Sequence, residues 1–367
     1  EKVDFYLGQS TTILSFTSLL IAAVGIILCG PLLIMMQTPE HVFAYTRDYM
    51  IIIFAGLPFM FGFFILQSSM QGIGRTMVPL GLQVATVALN IALDPLFIFG
   101  IWIFPDWGVR GAAVATVIAR GLSSLVAFRI LIAGRRGLRL RLRHMRPDGS
   151  AVRLFLRIGI PSSLGQALTA LGFTVLQGIV NSFGTAVIAA FGVANRLIGL
   201  FNLPAMGISR ATTTLVGQSL GGKRPDLARR TVGLSILTIQ AILVPAATLS
   251  FFFGSSLIRF FVDDAATIRY GAELFRVVAP SVVLFGFVHA IQGAFQGAGD
   301  TKPAMYLNIS RLWVFRLPAA YLLAHVLAWG PAGIWWSMFF SNMVIAIASL
   351  LWFRRGRWIT ALDPDTI

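Results

Sequence analysis

Acidic residues are scarce in this chain, with 14 Asp and Glu against 29 Lys and Arg, and charged residues of both signs make up only 12% of its 367 positions. An average soluble domain carries about 25%, so a water-soluble globular fold is excluded. Cysteine is scarcer still. Cys29 stands alone in an apolar run, which rules out an intramolecular disulfide and a cysteine-based metal cluster. The histidines do not form a ligand set: His41 and His144 fall in loops, and His289 and His325 lie in different apolar segments with no carboxylate near them in sequence. The alternating strand pattern of a transmembrane β-barrel is also missing. An enzyme is not expected either. A membrane prenyltransferase needs two acidic clusters to hold Mg²⁺ and diphosphate, and Asp263 and Asp264 have no counterpart.

What the chain has is hydrophobic length. Apolar residues make up 57% of it and mean hydropathy is +0.81. About ten segments, from 11–36 and 46–70 through 78–104 to 304–328 and 332–353, are long enough to cross a bilayer. They are expected to be helical, because lipid leaves no partner for a backbone group outside its own segment. The fold class is therefore an all-α membrane protein. Basic residues collect in alternate loops: Arg135, Arg136, Arg139, Arg141, Arg143 and Arg146, then Lys223, Arg224, Arg229 and Arg230, then Lys302, then Arg354, Arg355 and Arg357. By the positive-inside rule these loops are cytoplasmic, in a multi-pass protein of the cell inner (plasma) membrane. The net charge of +15 is thereby assigned to the lipid boundary, with no nucleic-acid partner expected.

The chain repeats itself. Tyr45/Tyr270, Gln67/Gln292, Gln71/Gln296, Gly72/Gly297, Gly74/Gly299 and Thr76/Thr301 all keep one spacing, as in 292 − 67 = 225. This divides the chain into a first lobe at 1–134, a basic cytoplasmic linker at 135–151 and a second lobe at 152–367. Counting back one spacing from Val152, the first copy is expected to start roughly 70 residues before Glu1, with room for two further spans and twelve in all. Six spans per half make the two halves parallel copies about an axis along the membrane normal, a signature of secondary transporters.

Asp94 is the clearest acid inside an apolar segment. If its span runs to residue 103, it lies about 13 Å from the outer end, where a charge costs about 2.5 to 3.5 kcal/mol. Such a carboxylate is a candidate for binding and releasing a coupling ion. Asn90 lies four residues earlier on the same helix face and adds oxygen for H⁺ or Na⁺. Pro95 removes an amide donor and frees the carbonyl of Ile91, a candidate hinge. The plainer reading of Asp94 is a structural hydrogen bond to a neighbouring helix. Thr116, on the next helix, either reaches the Asp94 site or bonds its own backbone.

In the second half, 313–318 (WVFRLP) keeps the proline at Pro318 without the Asn and Asp. Its polar groups, Gln166, Gln177, Asn181, His289 and Gln292, either line a substrate path or hydrogen-bond between helices. Met60, Phe61, Phe64 and Met70 offer an adaptable cavity wall, or are lipid-facing and core residues. Arg120, Arg196, Arg210, Arg311 and Arg316 fall in apolar segments, where they either bind anionic substrate or pair with acids, and most are expected to snorkel to an interface or to carbonyls.

At 71–79 (QGIGRTMVP), 90–100 (NIALDPLFIFG), 108–116 (GVRGAAVAT) and 296–303 (QGAGDTKP) the chain resembles the multidrug and toxic compound extrusion (MATE) family along essentially its whole length. The resemblance implies two six-helix lobes around a central cavity, with this chain holding the third through twelfth helices. It also implies a monomer without cofactors that exports cationic or amphiphilic drugs or toxic metabolites in exchange for H⁺ or Na⁺ by alternating access. The family's fifth-helix Asn and Asp fall on Asn90 and Asp94, a sixth-helix Thr looks like Thr116, and a fourth-helix polar position looks like Gln67. The first-helix acid that shares this site in many members has no match. Thr169 stands where the NorM-like branch carries a seventh-helix Glu, so the resemblance favours the DinF-like or archaeal-like branch with coupling in the first lobe. The alternatives are a lipid-linked oligosaccharide flippase of the same broad superfamily, marked by arginines converging on one lumen, and a truncated, inactive transporter.

Overall fold

The structure is a computed structural model of the chain and describes residues 2–36, 38–101, 106–134 and 137–360. Arg135 and Arg136 of the basic linker, and the end of the 78–104 segment, lie outside these. The described residues are helical in two compact units, Glu1–Phe155 and Leu156–Ile367.

The first unit holds α1 (Lys2–Met35), α2 (Glu40–Gly72), α3 (Met77–Ile98) and α4 (Val109–Ala133). Each is long and apolar enough to cross a membrane. Their outer faces carry exposed apolar side chains such as Phe16, Ile27 and Ile34, a surface that suits lipid and not water. The core between α1, α2 and α4 is built by Leu7, Ile65, Leu66, Met70 and Leu131, joined by Leu138 and Leu140 of the following connection. The expected span at 78–104 is shorter in fact. Helix α3 ends at Ile98, and the chain returns to α4 through bonds from Trp107 N to Phe97 O (3.2 Å) and from Gly108 N to Ile98 O (3.3 Å). Gly111 lets α4 press onto that end, since a Cβ there would lie 2.1 Å from the carbonyl oxygen of Phe97.

The basic connection after α4 is tied down by one buried side chain. Gln9 of α1 donates from Nε2 to the carbonyls of His144 (2.8 Å) and Arg146 (2.6 Å), and its Oε1 accepts from the amide of Asp148 (3.0 Å). Thr12 adds a bond to Met145 O (2.7 Å). Helix α5 (Gly149–Asn181) then starts with its amides at Ser150 and Ala151 bonded to Asp148 Oδ1, both at 3.0 Å. These bonds, led by that of the Ser150 side chain, hold the Asp148 carboxyl below its ordinary value of 3.8.

The second unit contains most of α5, then α6 (Thr185–Gly221), α7 (Pro225–Arg259) and α8 (Ala265–Gly297). A composite crossing follows, and α11 (Pro331–Arg354) closes the unit. Helix α8 is the most enclosed, packing against α6, α7 and α11. Its own Phe275 is fully buried, as are Ile239, Leu243 and Ile258 of α7 beside it. The segment expected at 304–328 is where the structure departs from a plain helix. It runs as α9 (Thr301–Ile309), a π-helical stretch Ser310–Arg316, a single turn α10 (Leu317–Tyr321), and a second π-helical stretch Leu322–Val326. Pro318 supplies a cause for the first, because it has no amide to offer Val314 O, four residues before it.

Two outcomes are expected from the α1 anchor and the α5 cap. Gln9→Leu strands two carbonyls and an amide, and at about 1 kcal/mol per bond should cost about 3 kcal/mol. It should be read as a lower melting temperature in detergent and faster tryptic cleavage at Arg141–Arg146. Asp148→Ala should lower the melting temperature near neutral pH. Because the folded carboxyl is depressed, its stabilisation is present above pH 3.8 and lost as pH falls through the folded value, so the gap between wild type and variant should close in acid.

Candidate functional site

In the first unit Asp94 is half-buried and accepts from Asn90 Nδ2 at 3.1 Å, the one-turn contact their spacing dictates. Neither of the ion pairs among the described residues involves it. Its depth differs from the expectation. With α3 ending at Ile98, Asp94 lies four residues, about 6 Å, from the helix end. Pro95 therefore sits in the last turn, and a bend there would redirect only that turn and the following loop. Thr116 is at a comparable level, because Gly111 faces Phe97 and the two side chains lie one to two turns further in along α4 and α3. Its hydroxyl donates to Ala112 O at 2.9 Å, the plainer of the two expected bonds, which leaves its oxygen able to accept.

Gln67 is not brought to this carboxylate. It lies five residues before the end of α2, about 8 Å from the connection to α3, whereas Asp94 lies 17 residues beyond the start of α3, about 26 Å away. Sequence spacing gave no depth for α2 relative to α3, and the hairpin supplies it. Gln67 instead joins Met60, Phe64, Gln83, Thr86 and Arg120 around a small cavity of about 160 Å³. Phe61 is not on that wall, and its ring meets Phe64 edge-on at 6.1 Å.

The second unit holds a larger, half-open cavity of about 380 Å³. Gln166, His289 and Gln292 line it, as does Thr169, whose hydroxyl bonds Gly165 O (2.6 Å). Gln177 does not line it and bonds Asn181 Oδ1 instead (2.8 Å). Gln292 faces the cavity and also donates to Asn308 Oδ1 across the helices (2.9 Å). Ser209 Oγ, donating to His289 O at 2.6 Å, fastens α6 to α8 beside it.

Arginine behaves differently from the expected snorkelling. Arg210, Arg311 and Arg316 all line the cavity, and Arg311 and Arg316 are only 6% and 2% exposed. The 310–316 register explains how both can face it. Residues five apart in an α-helix are about 140° apart around the axis, whereas bonding from i to i+5 brings them to one face, as residues four apart are in an α-helix. Arg316 donates from Nε to Ser341 Oγ (2.9 Å) and from Nη2 to Asn342 Oδ1 (2.6 Å), and Asn342 Nδ2 continues to Ser281 Oγ (3.0 Å). The Arg311 guanidinium lies over the Phe285 ring at 4.2 Å. Among the described residues no carboxylate lines this cavity. A sequence signal existed in the spacing of two arginines around Pro318, but it requires the π register to be read. Arg196 stays outside the lining and exposed.

Two units whose described residues are helical, with polar cavities lined by helices long and apolar enough to cross a membrane, have the architecture of a membrane transporter. The MatE family profile matches residues 1–96 and 161–322, and the chain belongs to that family. The probable multidrug resistance protein YoeA of Bacillus subtilis is 26% identical over 91% of this chain and 73% of its own length. The probable multidrug resistance protein NorM of Thermotoga maritima is 30% identical over 85% of this chain and 67% of its own. A solved MATE structure in complex with MaL6 superposes with a TM-score of 0.88 at 25% identity, covering 98% of this chain and 80% of that one. The protein is thus a multi-pass membrane transporter of that family and not an enzyme.

The arginine network makes a stability prediction. Asn342→Leu leaves a buried guanidinium short of an acceptor and should cost about 2 to 3 kcal/mol, the worth of a hydrogen bond to a charged group. The double variant Arg316→Met with Asn342→Leu should recover part of that loss, because removing both partners of a buried polar contact costs less than stranding one. Melting temperatures of the three proteins in one detergent check both statements.

Proposed function

We propose that the protein exports amphiphilic small molecules in exchange for H⁺ or Na⁺ by alternating access, with Asp94 and Asn90 as the coupling pair and Thr116 as an accessory oxygen. The observation carrying this is an intramembrane carboxylate whose contact is a neutral amide, so that its charge is left for a mobile cation to meet. Coupling requires the ion to prefer one arrangement of the transporter, since equal affinity for both shifts nothing. The reading places the protein in the plasma membrane as a monomer with its basic loops cytoplasmic. It retains a first lobe at 1–134, a linker at 135–151 and a second lobe at 152–367. The absence of acid from the second unit's cavity supports coupling in the first lobe.

A cationic substrate is the less favoured part of the expectation, because the second unit's cavity presents guanidinium groups. Their convergence is also the observation that favours the second reading, a flippase for lipid-linked oligosaccharides. The multidrug resistance names of the relatives and a cavity within the size range of drug-sized ligands favour export of small molecules.

Efflux of a fluorescent amphiphile from energised vesicles, under separately imposed H⁺ and Na⁺ gradients, tests the assignment. Asp94→Asn should lower ion-driven efflux by about tenfold or more, and Asn90→Ala by less. Undiminished efflux in Asp94→Asn would place coupling elsewhere. Absence of efflux from the wild type, with lipid-linked sugar translocated instead, would favour the flippase.

A further inference from the structure

We propose that the cavity of the second unit binds an anionic group, a carboxylate, sulfonate or phosphate carried by an amphiphilic molecule, with Arg311 as its principal contact. The inference deepens the transporter reading by naming the ligand class of this cavity, and rests on that reading.

Among the described residues, three guanidiniums and no carboxylate line one half-open cavity. They differ in how far their donors are already used. Arg316 is fixed by Ser341 and Asn342 and serves as a standing positive charge. Arg311 is 6% exposed, yet its Nε has no hydrogen-bond partner. The Phe285 ring beneath it attracts the cation through its face but accepts no conventional hydrogen bond from the fork. His289, whose ring meets Phe285 edge-on at 4.7 Å, likewise has a buried Nε2 without a partner. A cavity with an unused guanidinium donor in its wall lacks an acceptor, and the imidazole nitrogen beside it can serve as donor or acceptor. The group that satisfies a planar guanidinium fork best is a carboxylate or a phosphate-like oxyanion, taken in a bidentate manner. Phe173, Met206, Val282 and Met338 supply an apolar wall for the rest of the molecule. The same walls would hold an amphiphilic cation equally well, but its charge would face like charge, so head-group sign decides between ligands.

The π-helical stretch is what makes the site. It sets Arg311 and Arg316 on one face at a depth of about 15 to 22 Å into the crossing that starts at Thr301. A snorkelling path to either interface is thereby long for both.

The test is equilibrium binding to the purified chain in detergent, using 4-phenylbutanoate, its methyl ester and 4-phenylbutylammonium. The carboxylate should bind about tenfold or more tighter than either of the others. Arg311→Met, which keeps an apolar contact with Phe285, should remove that preference while leaving the ester unchanged, and Arg311→Lys should restore part of it. Arg210→Gln lies outside the buried network and should weaken the carboxylate a few-fold; it decides the question if Arg311→Met does not fold. Tighter binding of lysophosphatidic acid than of phenylbutanoate supports the site with a lipid headgroup as its source, and the reverse order supports it with a soluble anion. Equal or tighter binding of the ammonium, carboxylate affinity indifferent to both arginine variants, or no binding of any probe at millimolar concentration would overturn the proposal. These readings need no ion gradient, so their failure leaves the Asp94 assignment standing, and failure of that assignment leaves these readings unaffected.

Discussion

At membrane depth a polar group has only the protein to answer it, and this constraint organises both units. Main-chain groups meet it by forming helices, which is why almost every described element is one. Side chains meet it case by case. Hydroxyls fold back onto the preceding turn, as Thr17, Thr86, Thr116 and Ser250 do. Amides reach across, as Gln240 does to Val283 O (2.9 Å). Arg316 takes a chain of partners running through Asn342 to Ser281, so that three segments of the second unit are held by one guanidinium. Arg311 and His289 each keep an atom unanswered, and for that reason they attract a functional reading where Arg316 attracts a structural one.

Much of this is legible in the sequence. Hydropathy and the 225-residue repeat identify the helices and the two halves, because both signals are sums over many residues. The Asn90–Asp94 contact was readable from spacing alone, since a four-residue interval in an α-helix admits little else. What escaped were quantities that depend on register between elements. Gln67 shares an aligned motif position with Gln292 but lies far from Asp94 in depth, because α2 and α3 run in opposite directions from their connection. The end of α3 was placed too late, because an apolar loop is indistinguishable from an apolar helix by hydropathy. The expectation that the arginines reach an interface or carbonyls follows a rule for isolated long side chains, and that rule yields when a partner network such as Ser341 and Asn342 is built opposite.

The two halves, alike in motif, have diverged in charge. The first keeps a carboxylate before Pro95; the second has an arginine two positions before Pro318. A repeat that conserves its proline while exchanging the sign of the nearby charge separates the shape of a site from its chemistry. In such a protein a small cation and a larger ligand need not compete for one set of side chains. Each half can be tuned without retuning the other.

The π-helical turn adds a consequence of its own. In an α-helix the direction of a side chain is decided by residue identity and position together, and a substitution alters only what is displayed there. Where the backbone carries an extra residue within a turn, direction becomes a matter of count. Shortening the interval between Arg311 and Arg316 by one residue would let an ordinary α-helix present both arginines on one face, whereas lengthening it would turn one of them away. The charge of this cavity is therefore exposed to change by insertion and deletion as much as by replacement. Relatives of equal arginine content can differ in cavity polarity through the length of a single turn.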